Sequence, residues 1–208
     1  KKCSVFYAEN ERTARRFLKK VFKEIKIDNY EWHTIHKAGN EVLNYFKKDI
    51  AQQKTIGIMS EAGCPGIADP GQILVNIAQQ HYAKIIPLVG PNSILLALMA
   101  SGMNGQCFQF VGYLPVDALE RKKKITELEN ESNKKNCTQI FIETPYRNNH
   151  LLNDILTTAK PETLLCIGID ITSANESVQT KKIKEWKKNK PELHKRTVIF
   201  LLYSGINY

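Results

Sequence analysis

Apolar and polar positions along this chain follow two rhythms that keep exchanging places. Short apolar runs at residues 3–8, 32–35, 55–59 and 84–89 read as strands, and between them lie stretches with apolar positions three and four apart, the helical spacing. Over residues 11–25, Ala14, Phe17, Leu18, Val21, Phe22 and Ile25 keep that spacing, while Arg12, Arg15, Arg16, Lys19, Lys20 and Lys23 occupy the other face. Val42, Leu43, Phe46 and Ile50 mark a second helix over residues 40–53. Residues 72–80 and 93–101 are the next two helices, the latter with Asn92 placed to cap it. Such strand–helix alternation predicts a mostly parallel sheet covered on both faces.

A polar stretch with two glycines at residues 102–106 divides the chain into an expected N-terminal α/β domain, 1–104, and a C-terminal one, 105–208. Beyond it, strands are expected at 107–111, 138–143, 163–171 and 196–203, and helices at 116–131 and 147–158. The lysine-rich stretch 173–191 reads as a hairpin, or as a loop with a short helix. The second half is therefore also α/β, with a mixed sheet.

The most informative stretch is Ser60-Glu61-Ala62-Gly63-Cys64-Pro65-Gly66-Ile67-Ala68-Asp69-Pro70-Gly71, between the strand at 55–59 and the helix at 72–80. Its glycines and prolines make a tight loop whose backbone a ligand can approach. Asp69 is expected to cap the helix, with Pro70 in its first position. A tight connection with no ligand would look similar; Glu61, Cys64 and Asp69 together favour a binding loop at the carboxyl end of a strand.

Composition narrows the choice. With 208 residues, 42% hydrophobic and 25% charged, the chain is ordinary globular protein of one large or two small domains. Lys and Arg number 30 against 21 Asp and Glu, a net charge of +9. That excess suits a polyanionic partner, nucleic acid before membrane, although a solvated lysine surface accounts for it too. Five scattered cysteines, Cys3, Cys64, Cys107, Cys137 and Cys166, have neither zinc spacing nor a disulfide framework and read as reduced, buried thiols of a cytoplasmic protein. The longest apolar run, 94–100, falls short of the roughly 20 residues a membrane span needs. No signal peptide is visible. The chain starts at Lys1-Lys2 and is strand-like by Cys3, so a segment upstream is expected. There is no Walker loop, no G-x-G-x-x-G and no nucleophile-elbow serine. His33, His36, His81, His150 and His194 lack metal-ligand spacing and read as surface or packing residues, so no metal is expected.

Four loops remain at the carboxyl ends of expected strands: Glu9-Asn10-Glu11-Arg12, the loop at 60–71, Gly90-Pro91-Asn92-Ser93, and Glu143-Thr144-Pro145-Tyr146-Arg147. In this order they resemble the motifs of the tetrapyrrole-methylase superfamily of S-adenosylmethionine-dependent methyltransferases. The branch most similar is the one that methylates a cytidine ribose 2′-hydroxyl of small-subunit ribosomal RNA. Its S-D-A-G-T-P-G-I-S-D-P-G signature matches residues 60–71 with changes at Glu61, Cys64 and Ala68. Its acidic E-D-T-R-like segment matches Glu9 to Arg12, and its G-P-S-A helix start matches Gly90 to Ser93, with Ser101-Gly102 at that helix's end. Its F-x-G-F-L-P matches Phe110 to Pro115, and its Y-E-S-P-H-R matches Ile142 to Arg147. Two departures stand out. The family's first strand, with its glycine/proline loop, has no counterpart. Its R-E-L-T-K run is here Ile169-Asp170-Ile171-Thr172-Ser173, without the Arg and the Lys.

The resemblance implies two α/β domains with a cofactor cleft between them, a common place for a pocket. It implies a homodimer that binds S-adenosylmethionine through Ala62, Gly63, Cys64, Pro65, Ile67, Pro91, Ser93, Gly112, Tyr113, Ile142, Asp170 and Thr172. Methyl transfer from a sulfonium needs alignment of donor and acceptor and removal of a hydroxyl proton, for which Glu61 and Glu143 are the candidate bases. Arg12, Arg15 and Arg147 are the candidate RNA phosphate or ribose contacts, of which Arg15 reads instead as part of a solvated helix face or a local ion pair. The lysines at 122–124, 181, 182, 184, 187, 188 and 190 form a diffuse field for RNA. The same fold also serves small-molecule acceptors such as tetrapyrroles, and a non-catalytic RNA- or ribosome-binding protein is the remaining alternative.

Overall fold

A computed structural model describes residues 3–35 and 39–205. They fall into two compact units, Lys1–Pro91 and Asn92–Tyr208, so the division precedes the helix at 93–101 instead of following it at 104/105.

The first unit carries a three-stranded, all-parallel sheet in the order β2-β1-β3, with β1 Val5–Ala8, β2 Glu31–Thr34 and β3 Ile56–Met59. Alternation along β1 sends Val5 and Tyr7 into a core with Ile35, Phe46, Leu74 and Ile77, contributed in part by α2 (Asn40–Ala51) and α3 (Gln72–Gln80). Phe6 points the other way. Its ring stacks on Trp32 at 4.8 Å and lies over Gly57, where an added Cβ would come within 2.6 Å of it. α1 (Glu11–Val21) covers that face with Ala14 and Leu18 buried, and the Arg15 guanidinium sits 5.2 Å over the Trp32 ring. α1 ends at Val21 and not at residue 25, because Phe22 leaves the helical region at φ −120°.

Residues 84–89, expected as a strand, pair with nothing among the described residues. Ile85 still packs on the core, but Ile86, Leu88 and Val89 are exposed, and among the described residues the edge of β3 away from β1 carries no strand. An apolar run satisfies only the burial half of what a strand needs; the other half is a partner for its backbone.

The second unit is a five-stranded mixed sheet in the order β4-β5-β8-β6-β7. β4 (Phe108–Tyr113) and β5 (Thr138–Ile142) run parallel; β8 (Val198–Tyr203), β6 (Leu164–Ile169) and β7 (Ser177–Lys182) complete it by antiparallel pairing. Residues 173–191 thus resolve into β7 and the short helix α7 (Ile183–Lys188). Phe141 and Phe200 face a core with α5 (Ala118–Lys135), α6 (Asn148–Thr158) and Trp186 of α7, while Ile140, Ile199 and Leu201 face α4 (Ser93–Ser101). α4 belongs here because Ala97 and Leu98 pack on this sheet and Thr180 Oγ1 donates to the Ser101 carbonyl at 2.7 Å. No helix among the described residues is long and apolar enough to cross a membrane.

Candidate functional site

In a parallel sheet the loops after successive strands emerge on one edge, where ligands of α/β proteins bind. In the first unit that edge carries Glu9 and Asn10 after β1 and residues 60–71 after β3. They are tied together: the Glu61 N–H donates to Glu9 Oε2 at 2.8 Å, and Asn10 Nδ2 donates to Glu61 Oε1 at 3.3 Å. Asn10 also caps α1, accepting from the Thr13 N–H. Glu61 is exposed, and its Oε2 has no partner among the described residues.

The loop itself is shaped by left-handed backbone at Gly63 (φ 72°), Gly66 (φ 81°) and Ala68 (φ 53°). Asp69 does not cap α3, whose N-cap is Gly71. Its Oδ1 instead accepts from the N–H of Gly66 at 2.9 Å and of Gly71 at 2.7 Å, clamping the middle of the loop to the start of the helix. Oδ2 of the same carboxylate is buried and unpartnered among the described residues. The Cys64 thiol donates weakly to the carbonyls of Gly90 and Pro91 at 4.0 and 3.9 Å, so the third expected loop adjoins this one although no strand leads into it. Ala62, Pro65 and Ile67 are exposed on the loop.

The second unit gathers a second group. β4 and β5 are parallel, and β6, antiparallel to β8, runs in their direction, so all three end on one edge. Gly112 (φ 72°) and Tyr113 close β4 at an irregularity in its pairing, Ile142 closes β5, and Asp170 and Thr172 follow β6. Ser93, in the first turn of α4, lies in this unit too, below the Asn92 cap that accepts from Ile94 and Leu95.

Glu143 has a buried side chain whose Oε1 accepts from Arg147 Nε (3.1 Å), Arg147 Nη2 (2.7 Å) and the Thr144 N–H (2.5 Å). It therefore orients Arg147 and holds the turn, whereas Glu61 is exposed. Asp170 is likewise engaged, by Arg196 Nε at 2.8 Å, Arg196 Nη2 at 2.7 Å and the Thr197 N–H at 2.9 Å. Arg196 supplies in space a cation that residues 169–173 lack in sequence. Asp170 (φ 46°) and Thr172 (φ 72°) both hold left-handed backbone, uncommon for a branched residue such as Thr and typical of constrained functional loops.

Arg12 is exposed without a partner among the described residues, whereas Arg15 pairs with Glu11 at 2.8 Å and stacks on Trp32. Folding also assembles a group that spacing did not reveal: donor atoms of Glu31, His33 and Asp49 lie within 4.8 Å of one another. Lys54 already bridges the two carboxylates, at 2.7 Å to Glu31 and 2.9 Å to Asp49, and these hydrogen bonds hold its ammonium form above the usual lysine range. Tyr7 donates to Asp49 at 2.7 Å; burial first, and that bond second, raise its pKa. His33 is stacked between Tyr7 and Tyr45, and His36 lies outside the described residues.

No family model matches the chain. Its fold is similar to that of the methyltransferase CobJ, whose crystal structure superposes with a TM-score of 0.57, covering 97% of this chain and 94% of that one at 14% identity. In sequence the chain is a relative of proteins named ribosomal RNA small subunit methyltransferase I. It is 32% identical over 149 residues to that of Halalkalibacterium halodurans (72% of this chain, 49% of the relative), 36% over 125 residues to that of Vibrio cholerae (60% and 42%), and 33% over 172 residues to that of Buchnera aphidicola subsp. Schizaphis graminum (81% and 58%). The chain spans about half the length of the curated relatives it matches.

Proposed function

We propose that this chain is the catalytic part of an S-adenosylmethionine-dependent methyltransferase that modifies a ribose 2′-hydroxyl of small-subunit ribosomal RNA, working as a homodimer. The observation that carries this reading is the name shared by its sequence relatives, on a chain with a methyltransferase fold. The loop residues fit such a donor. A Cβ built on Gly63, Gly90 or Gly112 would meet no atom within 4 Å, so a ligand has open access to those backbones. Ile67 and Tyr113 are exposed there and offer apolar surface for an adenosine or a methionine chain.

The residues we assign to the donor are Ala62, Gly63, Cys64, Pro65, Ile67, Pro91, Ser93, Gly112, Tyr113, Ile142, Asp170 and Thr172. The bound donor supplies an electrophilic methyl group, so the protein's part is alignment and proton removal. Glu61, exposed with one oxygen held by Asn10, accepts the hydroxyl proton on the other, directly or through water. Arg147, fixed by Glu143, contacts a phosphate of the substrate.

Calorimetry of the full-length protein with S-adenosylmethionine is expected to give one site per chain; no binding ends the enzymatic reading. Labelled methyl transfer to small ribosomal subunits, compared with free RNA and with tetrapyrroles, identifies the acceptor. Glu61→Gln is expected to slow transfer by about 100-fold or more while keeping donor affinity; an unchanged rate removes Glu61 as the base.

A further inference from the structure

We infer that the outward face of α1, formed by Arg12, Arg16, Lys19 and Lys20, docks the phosphate backbone of RNA, an inference that rests on the ribosomal RNA substrate proposed above. At 3.6 residues per turn these four side chains fall within an arc of about 100°, opposite the buried Ala14 and Leu18, and cover about 12 Å of helix from Arg12 to Lys20. All four are exposed and none has an ion pair or side-chain hydrogen bond among the described residues. Glu11, the one acid on α1, and Asp28, beyond its end, both pair with Arg15.

Several of the lysines expected to attract RNA from the second unit are in a different state. Lys122 pairs with Asp154, Lys124 with Glu127, and Lys182 and Lys184 both with Glu162, whose carboxyl they hold down at about 2. Lys181 lies over the Trp186 ring. An ammonium already paired releases fewer counterions on meeting a phosphate, so the uncompensated arc of α1 is the better anion surface. Its position agrees. Asn10 caps α1 and also reaches Glu61, so a strand lying along the arc leads toward the proposed proton acceptor. Ala14 and Leu18 hold one side of the helix on the sheet and leave the cationic arc outward, with Phe17 and Val21 exposed beside it.

The test uses the full-length protein and a labelled single-stranded RNA oligonucleotide titrated at rising salt. The variant Arg16→Gln/Lys19→Gln/Lys20→Gln is expected to bind more weakly, with the slope of log affinity against log salt smaller by about 2, since each phosphate contact contributes about 0.7. Arg16→Gln alone, the milder change, is expected to reduce the slope by about 0.7. S-adenosylmethionine affinity and melting temperature stay as in the wild type. Lys182→Gln/Lys184→Gln is expected to leave the slope nearly unchanged. An unaltered slope in the α1 variants overturns the inference while the substrate reading stands. So does an equal loss in the Lys182/Lys184 variant. A wild-type protein that binds no RNA, or that binds only anionic vesicles, overturns both.

Discussion

Two glutamates that look equivalent in the chain are set apart by their surroundings. Glu143 is buried and saturated on one oxygen by Arg147 and Thr144, whereas Glu61 is exposed with one oxygen open among the described residues. Glu143→Gln is therefore expected to lower stability by about 1–3 kcal/mol in urea denaturation, because a charged acceptor with three donors is lost. Glu61→Gln is expected to stay within about 0.5 kcal/mol of wild type while losing transfer activity. Cys137 titrates in the same way through its setting. Burial, and then the neighbouring Cys107, push its thiol up to about 11. The folded state thus favours the proton, and the associated stability is whole below the unfolded value of about 8.5 and is lost as pH rises through the folded one. Denaturation midpoints of wild type are expected to fall more steeply between those pH values than those of Cys137→Ala.

At the level of elements, the glycine-rich loop is held by its own backbone and by Asp69. Ala68 pays for a left-handed φ of 53° that glycine adopts freely, so Ala68→Gly is expected to raise stability by up to about 1 kcal/mol. Asp69→Ala releases two loop amides and is expected to cost about 1–3 kcal/mol, with weakened binding of S-adenosylmethionine in calorimetry. The loop's glycines, its prolines and the helix after it were legible from residues 60–80, since turn chemistry and helical spacing are local. The helix bounds were read correctly, but its cap was assigned to Asp69 instead of Gly71, because Asp69 had two possible local uses. Only the folded loop, with Gly66 brought near, chose between them.

Across the molecule, each unit has its own core, and the first leaves the outer edge of β3 open among the described residues. Amides of β3 that face away from β1 are expected to exchange with solvent well before those of β1, which has strands on both sides. A donor bound only by the folded protein stabilises it by about 2.7 kcal/mol at a hundredfold excess over its dissociation constant, so S-adenosylmethionine is expected to raise the melting temperature with concentration. A flat melting curve would argue against the site as assigned.

The periodicity of this chain determined by itself the α/β class, the helices at 72–80 and 93–101, and the identity and order of the loops, because each depends on residues close in sequence. Tertiary structure decided what lies beside what. It moved α4 to the second unit, denied residues 84–89 a strand for want of a partner, and joined Glu61 to Glu9 and Asn10. It also brought Arg196 to Asp170 and spent Lys122, Lys124, Lys182 and Lys184 on Asp154, Glu127 and Glu162, leaving Arg12, Arg16, Lys19 and Lys20 without an ion pair among the described residues. Hydrogen bonds and ion pairs act over a few ångströms, and the residues they join here lie as far as 79 positions apart, a separation that no local pattern encodes.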